Sequence, residues 1–274
     1  MQNSQKLPKG RIATTQPSLH WLEGNWGLQP KRTSNTGERS LMFDATSAFA
    51  TIRVLRDLGC NLPIKMWSAS REMKKHPADL TTLQELANVD GMGEISFHEV
   101  TDSFATGFRT KVHAIYNSNF VRVLFLDADN VPVRDPTFLF QLKEFKETGA
   151  IFWPDFWHPT NSIFNIHSQS LIWEMLDIPF ANTFKQESGQ ILVDRRRHAA
   201  RLELVRHYAF QRSDYDDRMK LIHGDKDLFR FAWLKQLSPV HMIRSPPAIA
   251  GKVVNGSFCG MTMAQHGTQG NVLF

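Results

Sequence analysis

Hydrophobic residues alternate between helical spacing and short apolar runs along most of this chain. Apolar side chains three and four positions apart predict a first helix over 41–55 that stops at Gly59, and a short strand follows at 62–67. The same patterns predict helices near 80–87, 108–116, 136–145, 171–176, 195–210 and 225–237, and strands at 95–100, 121–126, 149–153 and 191–193. This alternation is typical of one α/β domain with a mainly parallel sheet.

Both ends of the chain depart from that pattern. Residues 1–40 are polar and show no hydrophobic period, so we expect an irregular N-terminal extension ahead of a folded domain over 41–274. Near the other end, Asn255 and Gly256 stand between two apolar stretches, and this dipeptide favours a hairpin turn. We therefore expect a single domain that closes with a β-hairpin.

The strand predicted at 121–126 ends abruptly on two carboxylates, Asp127 and Asp129. Its near-continuous apolar run is typical of a strand covered on both faces, and ligands of open α/β sheets bind at such strand ends. Two hard oxygen ligands there favour Mg²⁺ or Mn²⁺, which keeps coordination positions free for substrate phosphates. We interpret the pair as a metal-bound diphosphate site, while Asp129 followed by Asn130 also fits a simple turn.

Composition narrows the class of protein without identifying a substrate. The chain has 274 residues, of which 42% are hydrophobic, and this allows one substantial core. Its net charge of +5 suits a phosphate-bearing partner. The basic cluster at 195–198 is interpreted as a solvated helix start, and no nucleic-acid-binding module is recognisable, so nucleic acid is not an expected partner. The two cysteines exclude a disulfide framework, and the sequence lacks a glycine-rich phosphate loop and a Gly-x-Ser-x-Gly elbow.

Several short segments besides the carboxylate pair occur in a fixed order along the chain. They are Leu-Arg to Leu-Pro-Ile at 55–64, LFLDADNVPVRDP at 124–136, GAIFWPD at 149–155, ESGQILV at 187–193, GDKDLFRFAW at 224–233, and MAQH at 263–266 followed by Gly270. As an ordered set they resemble the fungal-type Golgi α-mannosyltransferases, which extend mannose chains on glycoproteins. That family has the nucleotide-sugar-dependent type A glycosyltransferase (GT-A) fold.

The resemblance carries several expectations about fold and function. It implies a GT-A fold with a mainly parallel, Rossmann-like sheet flanked by helices, and it makes 41–274 the glycosyltransferase catalytic domain. It implies retaining transfer of mannose from GDP-mannose, a nucleotide-sugar donor, to a glycan or glycoprotein acceptor, assisted by Mn²⁺ or Mg²⁺. It also implies a place in the Golgi lumen, with the membrane anchor outside this chain.

Site residues follow from the residue types together with the resemblance. We expect Asp129 to bind the metal directly, Asp127 to make a second contact through water or the donor ribose, and His266 to be a third ligand. His266 also fits an ordinary surface histidine. Trp153 and Asp155 suit sugar binding, although a buried tryptophan is equally well explained by the core.

The ESGQ and GDKD segments supply the remaining candidates. Gly189 would allow close backbone approach to the donor sugar, and Glu187 or Gln190 would stabilise an oxocarbenium-like transition state, unless the segment is only a polar turn before a strand. Asp225 and Asp227 are candidates for donor or acceptor contacts, although a helix cap would explain one of them. Lys226 between them would meet the diphosphate as a point charge.

Two other functions stay open at this level. Family members carry an apolar strand and a nucleotide-receiving loop before the first helix, and nothing of that kind is convincing before residue 41. This departure favours a catalytically silent GT-A subunit for glycan binding or complex assembly. A glycosyltransferase that uses a UDP-sugar donor is the other alternative.

Overall fold

The computed structural model describes residues 45–70, 74, 77–158, 166–211 and 224–274, so the predicted extension over 1–40 lies outside the described residues. The helices are α1 (Ala45–Asp57), α2 (Pro77–Ala87), α3 (Arg109–Asn117), the 3-10 helix η1 (Pro136–Gln141), α4 (Lys143–Thr148), α5 (Ile172–Leu176), α6 (Ala199–Gln211) and α7 (Leu228–Lys235). The strands are β1 (Ile64–Ala69), β2 (Ile95–Val100), β3 (Arg122–Leu126), β4 (Ala150–Pro154), β5 (Gln186–Asp194), β6 (His241–Met242), β7 (Ala248–Val254) and β8 (Ser257–Ala264). Helices and strands alternate as the hydrophobic pattern predicts.

The sheet topology corrects one part of the sequence interpretation. β1 and β2 pair in parallel, but the four-stranded sheet, ordered β3-β5-β4-β6, is mixed. β5 runs antiparallel to both β3 and β4, and the β4–β6 pair is parallel. The prediction of a mainly parallel sheet is therefore wrong for this sheet, because a buried apolar run has the same composition in either direction.

Strand β5 is longer than its apolar residues indicate. It begins at Gln186, with Glu187 paired to Trp153 of β4 and Gln190 paired to Leu126 of β3. The polar segment from Glu187 to Gly189 is consequently part of a central strand, and the polar turn considered for it is wrong. Ladder pairing on both sides holds these polar residues at the carboxyl end of β3.

Two other elements differ from their predicted bounds. The helix expected over 136–145 is divided at Leu142 into η1 and α4, and Asp135 caps η1 by accepting a hydrogen bond from the Thr137 backbone N–H at 2.9 Å. The helix expected from residue 195 starts at Ala199, because residues 195–198 form a turn. In that turn the Arg195 guanidinium donates to the carbonyls of Phe120 and Tyr116, so this arginine holds the fold together.

The four-stranded sheet lies between two hydrophobic clusters. One face of β5, with Ile191 and Val193, packs with α3, α6 and α7, and the other face, with Leu192, packs with η1, α4 and the C-terminal residues. Alternate residues of a strand point to opposite faces, which explains this division. The β7–β8 hairpin turns at Asn255 and Gly256, both at positive φ (50° and 81°), and it confirms the predicted turn.

Candidate active site

The carboxylates predicted to bind the metal lie where β3 ends. The Asp127 backbone N–H donates to the Gly189 carbonyl at 2.8 Å, which extends the pairing with β5 one residue beyond the strand. The Asn130 N–H donates to the Asp127 carbonyl at 3.0 Å, so a turn follows as well, and the Asp129 side chain on that turn is exposed. The Thr51 hydroxyl of α1 donates to the Ala128 carbonyl at 2.7 Å and fixes the turn from the other side.

Lys111 of α3 contacts the carboxylate at the end of β3. Its ammonium lies 3.1 Å from Asp127 Oδ2, 3.3 Å from Asp225 Oδ2 and 3.1 Å from the Ser188 hydroxyl oxygen. Burial alone would lower the pKa of Lys111, but the negative charges of Asp225 and Asp127 outweigh it and the pKa is raised. Lys111 is therefore a charged group that joins β3, β5 and the turn before α7.

The electrostatic state of Asp127 follows from the same contacts. Burial raises the pKa of Asp127 to about 6, with the charges of Asp225 and Asp129 adding to the rise and Lys111 opposing it. Its side chain nevertheless keeps 39% of its surface accessible. Asp127 is thus ionised at neutral pH and open on one side to a ligand.

A second lysine binds two further carboxylates. The Lys226 ammonium lies 3.0 Å from Asp155 Oδ2 and 2.9 Å from Glu187 Oε2, while Glu187 Oε1 accepts the backbone N–H groups of Ser188 and Gly189, both at 2.9 Å. Burial raises the pKa of Asp155. For Glu187 burial acts in the same direction, but the ion pair with Lys226 outweighs it and the pKa is lowered. Glu187 is held as an anion in a fixed position.

Gly189 lies where these groups converge. A Cβ added to Gly189 would stand 3.4 Å from Glu187 Oε1, 3.5 Å from Asp127 Oδ2 and 3.4 Å from the Asn130 side-chain nitrogen. That nitrogen in turn donates to Gln190 Oε1 at 2.6 Å. The structure therefore brings Asp127, at the end of β3, together with Glu187, Gly189 and Gln190 of β5.

The two predicted aspartates before α7 have different surroundings. Asp225 faces Lys111, whereas Asp227 Oδ1 accepts hydrogen bonds from Arg230 Nε at 2.6 Å and from the Gln186 backbone N–H at 3.0 Å. Asp227 precedes α7 at a φ of 68° and its side chain makes no capping hydrogen bond to the helix. Asp227 is therefore not a side-chain cap, and its contacts are those of a buried ion pair that links α7 to β5.

His266 and Trp153 contact each other. Trp153 is completely buried in the core, and its indole N–H donates to the His266 carbonyl at 2.9 Å. Among the residues that the structure describes, no group of three His, Cys, Asp or Glu side chains is placed to hold a metal ion. His266 is therefore not brought to Asp127 and Asp129 as a third ligand, and Trp153 is a core residue.

The charge of the cluster nevertheless fits a divalent cation. Around Lys111, three carboxylates, Asp127, Asp129 and Asp225, meet one ammonium group, an excess of two negative charges. Mg²⁺ and Mn²⁺ need only one or two protein carboxylates when substrate phosphates and water fill the other positions. A diphosphate without a cation would be repelled by this excess charge.

Sequence analysis did not predict three site residues of the cluster: Lys111, Ser188 and Asn130. For Lys111 a signal existed, because it lies three residues after Phe108 and four before Ile115, on the face of α3 that the pattern marks as buried. A charged residue on a buried helical face needs a partner. For Ser188 and Asn130 the sequence offered no comparable signal.

A separate cavity of about 290 Å³ lies beside another part of α3. Its lining includes Phe104, Tyr116, Asn117 and Phe210, and none of the predicted site residues. The carboxylate cluster is therefore the part of the described structure in which the predicted chemistry is assembled.

Comparison with known proteins finds similarity to mannosyltransferases. A model of the family described as "Mannosyltransferase putative" matches residues 38–267. Alpha-1,2-mannosyltransferase MNN2 of Saccharomyces cerevisiae is 24% identical over 270 residues, which cover 85% of this chain and 44% of that protein. Alpha-1,2-mannosyltransferase MNN21 of Candida albicans is 32% identical over 124 residues, which cover 41% of this chain and 18% of that protein.

A match of similar length is found with alpha-1,2-mannosyltransferase MNN5 of Saccharomyces cerevisiae, 30% identical over 128 residues, or 45% of this chain and 22% of that protein. The chain thus spans less than half the length of these relatives. Within the described residues, no helix has both the length and the apolar character needed to cross a membrane.

Proposed function

This chain belongs to the mannosyltransferase family whose model it matches, and on that premise we propose that it is a retaining α-mannosyltransferase that uses GDP-mannose and a divalent cation. The acceptor would be a mannosylated glycan of a glycoprotein. The names of the fungal relatives favour an α-1,2 linkage in the product. A Golgi location, with the membrane anchor outside this chain, belongs to the same proposal.

One observation carries the proposal: the strand-end carboxylate Asp127 shares a single cluster with Glu187 and Asp225, which come from distant parts of the chain. A structural turn after β3 would need Asp129 and Asn130 alone. It would not need an acidic group from β5 and another from the turn before α7. Clustered acids with perturbed pKa values at the end of a strand are characteristic of functional sites.

The excess negative charge supports a cation-dependent donor. A divalent cation bound through Asp127 and Asp129 would act as a Lewis acid and neutralise the charge that develops on the leaving diphosphate. Lys226 is suited to contact the same diphosphate, because its side chain is 28% exposed and two of its three ammonium protons are directed at Asp155 and Glu187. We propose that the third meets a phosphate oxygen.

Glu187 has the features of an electrostatic stabiliser. Two backbone N–H groups and Lys226 bind its carboxylate, and burial, which would raise its pKa, is outweighed by Lys226 and the Gly189 N–H, so the pKa is lowered. Each of these contacts fixes the negative charge in place and weakens the carboxylate as a nucleophile. We therefore propose that Glu187 stabilises the positive charge on an oxocarbenium-like sugar, in preference to a covalent intermediate.

A donor screen tests this function. Release of nucleotide is measured with GDP-mannose, UDP-glucose and UDP-galactose, with and without Mn²⁺, in the presence of an α-mannoside acceptor. Preferential, Mn²⁺-dependent use of GDP-mannose is expected. Preference for a UDP-sugar would replace the donor, and failure of every donor to react or bind would favour the catalytically silent subunit.

A further inference from the structure

The two lysines of the cluster are bound in different ways. Lys226 contacts two carboxylates and is partly exposed, whereas the side chain of Lys111 is only 7% exposed. Its ammonium has three oxygen neighbours, on Asp127, Asp225 and Ser188. It donates hydrogen bonds to Asp127 and Ser188, and its contact with Asp225 is an ion pair without a hydrogen bond. Lys111 is therefore largely shielded from a bound diphosphate, because so little of its side chain is exposed.

The Lys111 ammonium lies between two carboxylates, where a metal cation could otherwise bind. Its nitrogen lies between Asp127 Oδ2 and Asp225 Oδ2, and no hydrogen bond reaches that Asp225 atom from the residues that the structure describes. The side chain projects from α3, whose residues Val112 and Ile115 are anchored in the core. The ammonium is thus held at the acids by a fixed helix.

We propose that Lys111 is a resident counter-cation that keeps the affinity of the empty site for divalent metal low, so that metal binds tightly only together with a nucleotide diphosphate. The inference rests on the proposed function and adds a positioning residue to it. At a separation of about 5 Å, repulsion between the ammonium and a divalent cation would weaken metal binding by about tenfold even at the dielectric constant of water. The negative charges of the diphosphate offset this repulsion.

A binding experiment tests the inference without using catalysis. Free Mn²⁺ is followed by electron paramagnetic resonance during titration of the wild-type protein, Lys111→Met and Lys111→Arg, each with and without GDP. Lys143→Met is the matched control, because that side chain is 83% exposed and pairs with Glu147 on the same helix. In the absence of GDP, Lys111→Met should bind Mn²⁺ roughly tenfold or more tightly than the wild type, and Lys111→Arg should stay weak.

The outcomes separate the inference from the proposed function. Unchanged or weaker binding of Mn²⁺ alone by a folded Lys111→Met, with wild-type binding of Mn²⁺ and GDP intact, overturns the role of Lys111 only. Absence of Mn²⁺ binding by the wild type even with GDP contradicts the metal-dependent function itself. If Lys111→Met fails to fold, the titration of the wild-type protein still tests the inference. Equally tight Mn²⁺ binding by the wild type with and without GDP would overturn it.

Discussion

Replacement of Gly189 by alanine separates a catalytic role of this position from a structural one. The new methyl group would stand 3.4 to 3.5 Å from three side-chain atoms, on Glu187, Asp127 and Asn130, which is close but tolerable packing. Gly189 lies within β5 and is not among the glycines at positive φ, so alanine brings no backbone strain. Reduced freedom of the unfolded chain should stabilise the variant by about 0.4–1 kcal/mol, or offset the tight contacts.

Activity should respond in the opposite way. The methyl group occupies the space beside Asp127 and Glu187 where the donor sugar is proposed to approach, so kcat/KM should fall at least roughly tenfold, the effect of losing about 1.4 kcal/mol of transition-state binding. Urea unfolding measures stability and mannose transfer measures kcat/KM, with Ser257→Ala on the exposed β8 as a control. Wild-type activity in Gly189→Ala would refute the approach of the sugar at this strand, and a stability loss above about 2 kcal/mol would show that the packing argument is wrong.

Three further predictions concern the charges of the cluster. Lys226→Met leaves two carboxylates without their cation and should lower the free energy of unfolding by about 2–3 kcal/mol in urea melts, together with loss of GDP affinity by calorimetry. Asp227→Asn breaks the buried pair with Arg230 and should cost about 3–5 kcal/mol in the same melts, while Mn²⁺ affinity in the folded fraction stays within a few fold. The folded-state pKa of Asp127, about 6, is raised above its unfolded value, so its contribution to stability is full below pH 3.8 and is lost as pH rises through 6. The melting temperature of metal-free Asp127→Asn should therefore gain on that of the wild type between pH 4 and pH 7, and a constant difference would contradict the raised pKa.

The parts of the fold that sequence predicts are those with a local signal. The apolar run before Asp127 fixed the position of β3, although this strand lies at the edge of its sheet and only Val123 in it is buried, and Asn255 with Gly256 fixed the hairpin turn. The direction of β5 has no local signal, because it depends on which strands it joins. The polar start of β5 was also missed, since Glu187 in a central strand is acceptable only when Lys226 and two backbone N–H groups satisfy it.

The site shows the same limit. Asp127 was predictable from its place after a strand, whereas the different surroundings of Asp225 and Asp227 depend on Lys111 and Arg230, which approach them from different helices. Sequence spacing could not divide the pair, because both residues precede α7 in the same turn. Contacts between distant segments decide which acid faces the site.

The most direct test of cation-assisted donor binding is mannose transfer by Asp127→Ala. Transfer from GDP-mannose to an α-mannoside acceptor is measured across a range of Mn²⁺ concentrations for the wild type, Asp127→Ala and the exposed control Asp90→Ala. Wild type and Asp90→Ala should show the same Mn²⁺-dependent turnover, and Asp127→Ala should show none above background. Turnover by Asp127→Ala that still requires Mn²⁺ would contradict a cation held at the end of β3.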